Sequence, residues 1–150
     1  MKIRNSFSLY VLLFLASVVS GCASVPMASI DEDAKAKTFA VREGKSNIYV
    51  YRNESFGGAI PMTVALDGKV AGQTGPQTYF LLEVDNGPHE VSSIAENTST
   101  IKLDVAPGNS YFVWQEVKMG MWMPRTLMQQ VDEATGKKGV AECKRAQSNF

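Results

Sequence analysis

The sequence has few of the residues from which active sites are built. Among its 150 residues there are one histidine, His89, and two cysteines, Cys22 and Cys143. A His-rich metal cluster is therefore excluded, and a Ser-His-Asp or Cys-His arrangement would depend on His89, which stands where a turn enters a predicted strand. No serine lies in a nucleophile-elbow motif. We predict that the chain is not an enzyme, that it has no resident cofactor and that His89 is structural.

Strong charge and long apolar runs are also lacking. Lys and Arg number 15, as do Asp and Glu, and no basic block is present. Nucleic acid is therefore not expected as a partner. The apolar run from Phe7 to Val19 is shorter than the roughly 20 residues that a membrane-spanning helix needs. Because Lys2 and Arg4 precede this run, residues 1–21 are predicted to be a cleaved export signal.

The export signal ends in a motif that suggests lipidation. Val19-Ser20-Gly21-Cys22 resembles the bacterial lipobox, although valine replaces the commoner leucine. The resemblance implies cleavage before Cys22, a diacylglyceryl group on its thiol and an N-acyl group on its amine, and such a set of chains anchors stably. The alternatives are an ordinary secretory signal with an unrelated cysteine, or an uncleaved hydrophobic helix. Ala23 stands where aspartate would resemble an inner-membrane retention signal, so we predict an outer-membrane location.

Acylation of Cys22 leaves Cys143 as the remaining thiol of the mature chain. One thiol cannot form an internal disulfide, so the fold is predicted to depend on its hydrophobic core. Two interpretations of Cys143 stay open: an unreactive thiol, or a thiol that is redox-active or pairs between two chains. Removal of Lys2 and Arg4 with the signal leaves 13 of the 15 basic residues against 15 acidic ones.

The mature chain is predicted to have three parts. Residues 22–45 mix Ala, Ser, Asp, Glu and Lys without sustained periodicity, apart from a short helical pattern near Asp31–Val41, and are predicted to form the acylated N-terminus and a flexible tether. Residues 46–135 are predicted to form one β-domain. Residues 136–150 are polar and charged, and are predicted to form a short helix or a frayed tail.

The predicted β-domain contains short runs of Val, Ile, Tyr, Phe and Thr between turn residues. Apolar and polar residues alternate in Ile101–Val105, and Asp67-Gly68 suits a tight hairpin turn. Because no long helical pattern separates the runs, we predict consecutive antiparallel pairing. The predicted fold is an all-β antiparallel sandwich of about seven to eight short strands, immunoglobulin-like or transthyretin-like.

Several motifs of this domain resemble a known family. They are Ile48–Arg52, Leu66–Lys69, Tyr79-Phe80, Gly87–Val91 and Gly108–Val113. Over about residues 44–132 they resemble the bacterial lipoprotein family called domain of unknown function 2846. The hairpin, turn and His-x-Val strand are also similar to PEGA-type modules, small β-sandwiches of bacterial envelopes, although Gly-Pro replaces their Pro-Gly turn. The resemblance implies a sandwich in the cell envelope and supplies no catalytic residue.

The segment Met119–Pro124 is unusually rich in methionine. In an extended strand Met119, Met121 and Met123 would share one face, with Trp122 between them in sequence. Thioether sulfur suits Cu(I) and an indole face stabilises a cation, so the spacing permits a metal site. Methionine also fills irregular gaps or forms apolar surfaces for a partner. Metal binding and partner contact both stay open.

These patterns predict a membrane-anchored bacterial envelope lipoprotein that acts as a non-enzymatic interaction or structural module. The predicted partners are the membrane, through the lipid on Cys22, and an envelope protein. The predicted location is the outer membrane, facing the periplasm. The edge strands and residues Met119, Met121, Trp122 and Met123 are the predicted contact surface. The alternative is a small-ligand or Cu(I)/Ag(I)-binding lipoprotein that uses the same residues.

Overall fold

The structure, a computed structural model, describes residues 25–55 and 60–150. The predicted signal peptide and Cys22 lie outside the described residues. Two helices occur in these ranges, α1 (Ile30–Ala36) and α2 (Glu133–Ala141), and neither is long and apolar enough to cross a membrane. The strands are β1 Ser46–Arg52, β2 Met62–Leu66, β3 Lys69–Thr74, β4 Thr78–Val84, β5 Gly87–Ile94, β6 Thr98–Val105, β7 Ser110–Lys118, β8 Arg125–Val131 and β9 Lys144–Arg145.

The described strands form two sheets that pack face to face. The five-stranded sheet has the order β8-β7-β1-β4-β9, and the four-stranded sheet has the order β3-β2-β5-β6. Apolar side chains that alternate along the strands, such as Ile48 and Val50 of β1 or Leu103 and Val105 of β6, are buried between the sheets. We call this cluster the inner core. The predicted all-β sandwich is confirmed.

The hairpin predicted at Asp67-Gly68 joins β2 to β3, with Leu66 paired to Lys69. Both turn residues have left-handed backbone angles, φ 50° at Asp67 and 78° at Gly68. A two-residue turn of this kind matches the right-handed twist of the strands that it joins, and Asp-Gly tolerates it with little strain.

A second cluster, the outer core, covers the other face of the five-stranded sheet. Tyr49 of β1, Tyr79 of β4 and Phe112 of β7 are buried there together with Ala36 of α1 and Val140 of α2. Every residue of β1 is therefore buried, because one face of the strand meets the opposite sheet and the other face meets the helices. An alternating pattern alone would have left one of these faces exposed to solvent.

Two strand pairs are parallel, which differs from the predicted consecutive antiparallel pairing. Strand β1 runs parallel to β7, and β4 runs parallel to β9. The reason is that these neighbours are not joined by a hairpin. The chain reaches β7 from β6 of the other sheet and reaches β9 after α2, so β7 can run parallel to β1 and β9 parallel to β4.

The segments on both sides of the predicted β-domain belong to the folded unit. Residues 25–45 differ from the predicted flexible tether, whereas the C-terminal segment contains a short helix, α2, which was one of the two predictions for it, and is not a frayed tail. Val25 packs in the inner core, and Met27 forms an antiparallel bridge with Ala146. The hydroxyl of Tyr49 donates a hydrogen bond of 2.9 Å to the carbonyl of Ala36 in α1. These contacts show the physical reason: residues 25–45 and 133–146 supply side chains that complete both cores.

A chain of buried polar side chains connects the two sheets. Thr74 Oγ1 of β3 donates to Gln115 Oε1 of β7 at 2.5 Å, and Gln115 Nε2 donates to Ser93 Oγ of β5 at 2.6 Å. Ser93 Oγ lies 2.7 Å from Thr126 Oγ1 of β8. Each of these bonds crosses from one sheet to the other. A satisfied buried network of this kind fixes how the sheets sit against each other.

Candidate functional site

The residues 119–124, which we call the Met/Trp loop, join β7 to β8 at one end of the sandwich. The two strands pair up to Lys118 and Arg125, immediately beside the loop. The turn 95–97 between β5 and β6 lies at the same end, since Glu96 contacts the loop. The Met/Trp loop is irregular and not an extended strand. The strand face that the three methionines would share is therefore not formed.

The Met/Trp loop exposes large apolar side chains to solvent. Met119 is 80%, Met121 82%, Trp122 88% and Met123 52% exposed. A contiguous apolar surface on a folded protein indicates a contact site, whereas scattered single residues do not. Tryptophan and methionine are also among the residues enriched at protein interfaces. The structure thus brings together the four residues that the sequence singled out, and it holds them on the outside.

Glu96 holds the backbone of the Met/Trp loop. Its Oε2 accepts hydrogen bonds of 3.0 Å from the backbone N–H groups of both Trp122 and Met123. The same N–H groups hold the pKa of Glu96 below its usual value, Met123 contributing most. Gly120 tightens the turn, because a Cβ at that position would stand 1.8 Å from the Met123 carbonyl. The sequence gives no local signal for this role of Glu96, since its partners lie 26 and 27 positions away.

The Met/Trp loop protrudes from the sandwich and encloses only a small recess. The recess among residues 118–124 measures about 180 Å³, whereas small-molecule sites usually measure about 300–1,000 Å³. Within residues 25–55 and 60–150, no three His, Cys, Asp or Glu side chains are grouped so that they could hold a metal ion. The groups of the loop that could bind a soft metal ion are the thioether sulfurs of its methionines. Its shape suits insertion into a partner better than enclosure of a ligand.

A family model covers the strands and the loop just described. The model described as "Protein of unknown function (DUF2846)" matches residues 42–126, a range that includes Glu96 and the Met/Trp loop. The chain belongs to the DUF2846 family. A relative from Haemophilus influenzae, described as an uncharacterized protein, is 31% identical over 149 residues, which cover 98% of this chain and 89% of that one. No solved structure matches the chain. The likeness to PEGA modules stays a prediction.

His89 of this DUF2846 protein lies at the end of the sandwich opposite the Met/Trp loop. Its Nδ1 is 2.7 Å from Asp67 Oδ2, and its Nε2 is 2.8 Å from the carbonyl oxygen of Asp85. Partial burial acts to lower the pKa of His89, but these two hydrogen bonds and the nearby carboxylates outweigh it and raise the pKa above its usual value. The histidine therefore ties two turns together most strongly when both of its ring nitrogens are protonated.

We expect the His89→Gln variant of this DUF2846 protein to be less stable than the wild type by about 1–2 kcal/mol at pH 5.5, the usual contribution of hydrogen bonds to a charged group. A raised folded-state pKa means that the stabilisation is complete below the unfolded pKa, about 6.5, and is lost as the pH rises through the folded pKa. Urea unfolding at pH 5.5 and 8.5 measures the difference. Asp104→Asn, on exposed β6, is the control. An equal or larger gap at pH 8.5 contradicts the prediction.

Cys143 packs in the outer core of the DUF2846 domain and does not lie in a polar tail. It is buried, and its thiol donates a 3.5 Å hydrogen bond to the carbonyl of Arg52. Burial raises its pKa to about 12, so the reactive thiolate is strongly disfavoured at neutral pH. A disulfide between two chains through Cys143 would require this part of the outer core to open. The structure favours the structural interpretation of this cysteine.

Proposed function

We propose that this DUF2846 protein is a membrane-anchored envelope lipoprotein whose sandwich is a non-enzymatic interaction module, and that the Met/Trp loop inserts into an apolar recess of another envelope protein. The supporting observation is that four large apolar side chains are exposed on a backbone fixed by Glu96. A loop that is already ordered loses less conformational entropy when it binds. The lipobox resemblance at Cys22 supports a lipid anchor, and Ala23 supports the outer membrane as its location; we place the domain on the periplasmic side.

Trp122 is the residue expected to contribute most to binding. Tryptophan is enriched among the few interface residues that dominate binding energy, particularly where it fills a pocket on the partner. Its indole is 88% exposed in the unbound chain, so its burial would remove a large apolar area from water. The surrounding methionines are flexible and adapt to the surface that receives the indole.

In-cell photocrosslinking of the full-length chain tests the interaction. A photoreactive residue at position 122 is expected to give a discrete adduct with one outer-membrane or periplasmic protein, identified by mass spectrometry. The same residue at Asp104, exposed on β6, is expected to give none. Glu96→Ala, which frees the loop backbone, is expected to remove most of the adduct, whereas the matched variant Glu90→Ala, at an exposed position of β5, is expected to leave it. Equal adducts from positions 122 and 104 contradict the proposal.

Metabolic labelling with palmitate tests the anchor separately. Cys22→Ala is expected to abolish incorporation and to release the protein from the membrane fraction. Cys143→Ala is the matched control and is expected to retain the label, because Cys143 is buried in the fold. Label that survives in Cys22→Ala would exclude lipidation at this residue, whatever the crosslinking shows.

Soft-metal binding is the second candidate function, and the observation in its favour is the presence of three exposed thioethers and an indole on one ordered loop. Cu(I) titration of the purified chain, followed by tryptophan fluorescence, distinguishes it from the first. Metal binding requires a saturable change that Met121→Ala weakens. A flat titration together with a position-122 adduct would leave the interaction module as the function.

A further inference from the structure

The chain enters the sandwich at one edge, formed by β9 of the first sheet and β3 of the second. The backbone N–H of Gln147 donates to the Pro26 carbonyl at 2.9 Å, and that of Asn149 donates to the Ala71 carbonyl of β3 at 2.8 Å. Val25 is only 8% exposed and packs in the inner core. The residues that follow the predicted acylation site are thus part of the fold, and the point where the chain leaves it is fixed.

The connection between this edge and Cys22 is short. Cys22 and Val25 are three positions apart. Since consecutive Cα atoms are about 3.8 Å apart, their Cα atoms can be at most about 11 Å from each other. Residues 26–45, which could have served as a longer spacer, are folded against the sheet. Acyl chains on Cys22 would therefore hold Val25 within about 11 Å of the acylated residue, less than about twice the roughly 5–8 Å thickness of one headgroup layer.

The same edge exposes a group of apolar side chains. Asn149 donates from its side chain to the carbonyl of Val70, which places Val70 beside residues 149 and 150. Met27 lies opposite Ala146 in the bridge to that segment, and Ile30 begins α1. We call the following four residues the exit edge: Met27, 43% exposed, Ile30, 88%, Val70, 52%, and Phe150, 55%.

Polar groups suited to lipid headgroups accompany the exit edge. A groove of about 400 Å³ beside Pro26 is lined by amide and hydroxyl side chains, among them Gln73, Gln147 and Ser148. These groups can donate hydrogen bonds to phosphate and glycerol oxygens. Exposed Lys69 and Lys144 flank the edge on β3 and β9. On the β3 and β9 side of the edge, apolar side chains thus stand beside hydrogen-bond donors and lysines, as is typical of a surface in the interfacial region of a bilayer, whereas Asp31 and Glu32 follow Ile30 on α1.

We infer that the exit edge lies against the bilayer that holds the acyl chains of Cys22, and that the domain sits directly on the membrane surface. This inference rests on the proposed lipidation of Cys22. It also assigns a direction to the Met/Trp loop. That loop follows β7 and precedes β8, and β8 is the edge strand opposite β9. The side of the sandwich that carries the loop therefore faces away from the membrane, where a protein partner can reach it.

Depth-dependent fluorescence quenching tests the inference on the lipidated full-length chain, reconstituted in vesicles of phosphatidylethanolamine and phosphatidylglycerol. An environment-sensitive dye is attached in turn to Val70→Cys, Ile30→Cys and, as controls away from the edge, Trp122→Cys and Asp104→Cys. Native Cys143 is buried and is not expected to react. Lipids with a headgroup nitroxide are expected to reduce the emission at positions 70 and 30 at least about two-fold, since an interfacial element sits within about 10 Å of the headgroups. Positions 122 and 104 are expected to keep their emission.

A linker variant tests whether the short connection causes this position. Insertion of about 15 Gly/Ser residues between Ser24 and Val25 adds a flexible span of roughly 20 Å. The insertion is expected to keep the protein on the vesicles and to reduce the quenching at position 70, whereas unchanged quenching would overturn the role of the short connection. The wild-type chain is compared with it in the same vesicles.

The outcomes separate this inference from the proposed function. Intact mass and vesicle flotation report the lipid, and a chain without added lipid mass would overturn the anchor itself. If the lipidated chain floats with the vesicles but position 70 stays unquenched, the lipid anchor stands and only the contact of the exit edge with the bilayer is overturned. Quenching at position 122 in place of position 70 would show that the Met/Trp loop faces the bilayer. Crosslinks between two copies through position 70 would show that a second chain covers the edge, which also overturns the inference.

Discussion

Gly139→Ala is expected to lower the free energy of unfolding by about 3 kcal/mol, at the upper end of overpacking effects. In an exposed helix the same substitution stabilises by about 1 kcal/mol, because alanine is the better helix former. Here the substitution is expected to destabilise, because the backbone of α2 packs directly against side chains of the five-stranded sheet. A Cβ at Gly139 would stand 2.1 Å from Cε2 of Tyr51, and one at Gly136 would stand 2.1 Å from Cγ of Phe112. Both rings belong to the buried outer core and cannot move aside freely.

Urea unfolding of the purified chain at neutral pH measures the Gly139→Ala effect. Lys138→Ala, at the neighbouring exposed position of α2, is the matched control and is expected to change stability by less than about 0.5 kcal/mol. A Gly139→Ala variant as stable as the wild type, or more stable, would mean that α2 does not press on Tyr51 as the structure has it.

Gln115→Leu is expected to lower the free energy of unfolding by about 2 kcal/mol, because it removes two buried hydrogen bonds between the sheets. Leucine has a similar volume, so the effect comes from lost polar partners and not from a large cavity. Thr74 Oγ1 would keep only its longer contact of 3.3 Å to the Met62 carbonyl, and Ser93 Oγ would lose the hydrogen bond from Gln115 Nε2. Both hydroxyls lie in the fully buried interior, where water cannot replace the missing partner.

Denaturant unfolding of Gln115→Leu and of the control Gln130→Leu, at an exposed position of β8, checks this prediction. The control is expected to stay within about 0.5 kcal/mol of the wild type. Adding Thr74→Val to Gln115→Leu is expected to destabilise less than Thr74→Val does alone, since the bond between the two side chains is already absent. Additive losses would show that the two residues act independently.

The strands were predictable because their local chemistry is strong. The Asp67-Gly68 hairpin and the alternation in Ile101–Val105 each specify a strand or a turn from a few adjacent residues. Pairing across the sandwich was not predictable in the same way. The parallel contact of β1 with β7 joins residues about sixty positions apart, and no local pattern encodes it. The sandwich class was therefore predicted correctly, whereas two of its pairings were not.

A short helix was one of the two predictions for the segment that contains α2, but the packing role of its small residues went unrecognised. Gly136, Gly139, Val140 and Cys143 recur at the spacing of one helical face, but glycine counts as polar or flexible in a search for apolar periodicity. Only the structure reveals why small residues are needed, since bulky rings occupy the space in front of them. The same holds for Glu96, whose role depends on a loop that is distant in sequence.

The bridge between Met27 and Ala146 has a consequence for the order of folding. It joins residues more than a hundred positions apart. Such contacts form late in folding, because the entropy of closing the intervening chain must be lost before the contact can stabilise the fold. A nascent chain that emerges N-terminus first cannot complete this edge until Ala146 has been synthesised. Under the proposed export, machinery that accepts only unfolded chains would meet a polypeptide whose edge is still open, and the edge would close after the chain has crossed the membrane.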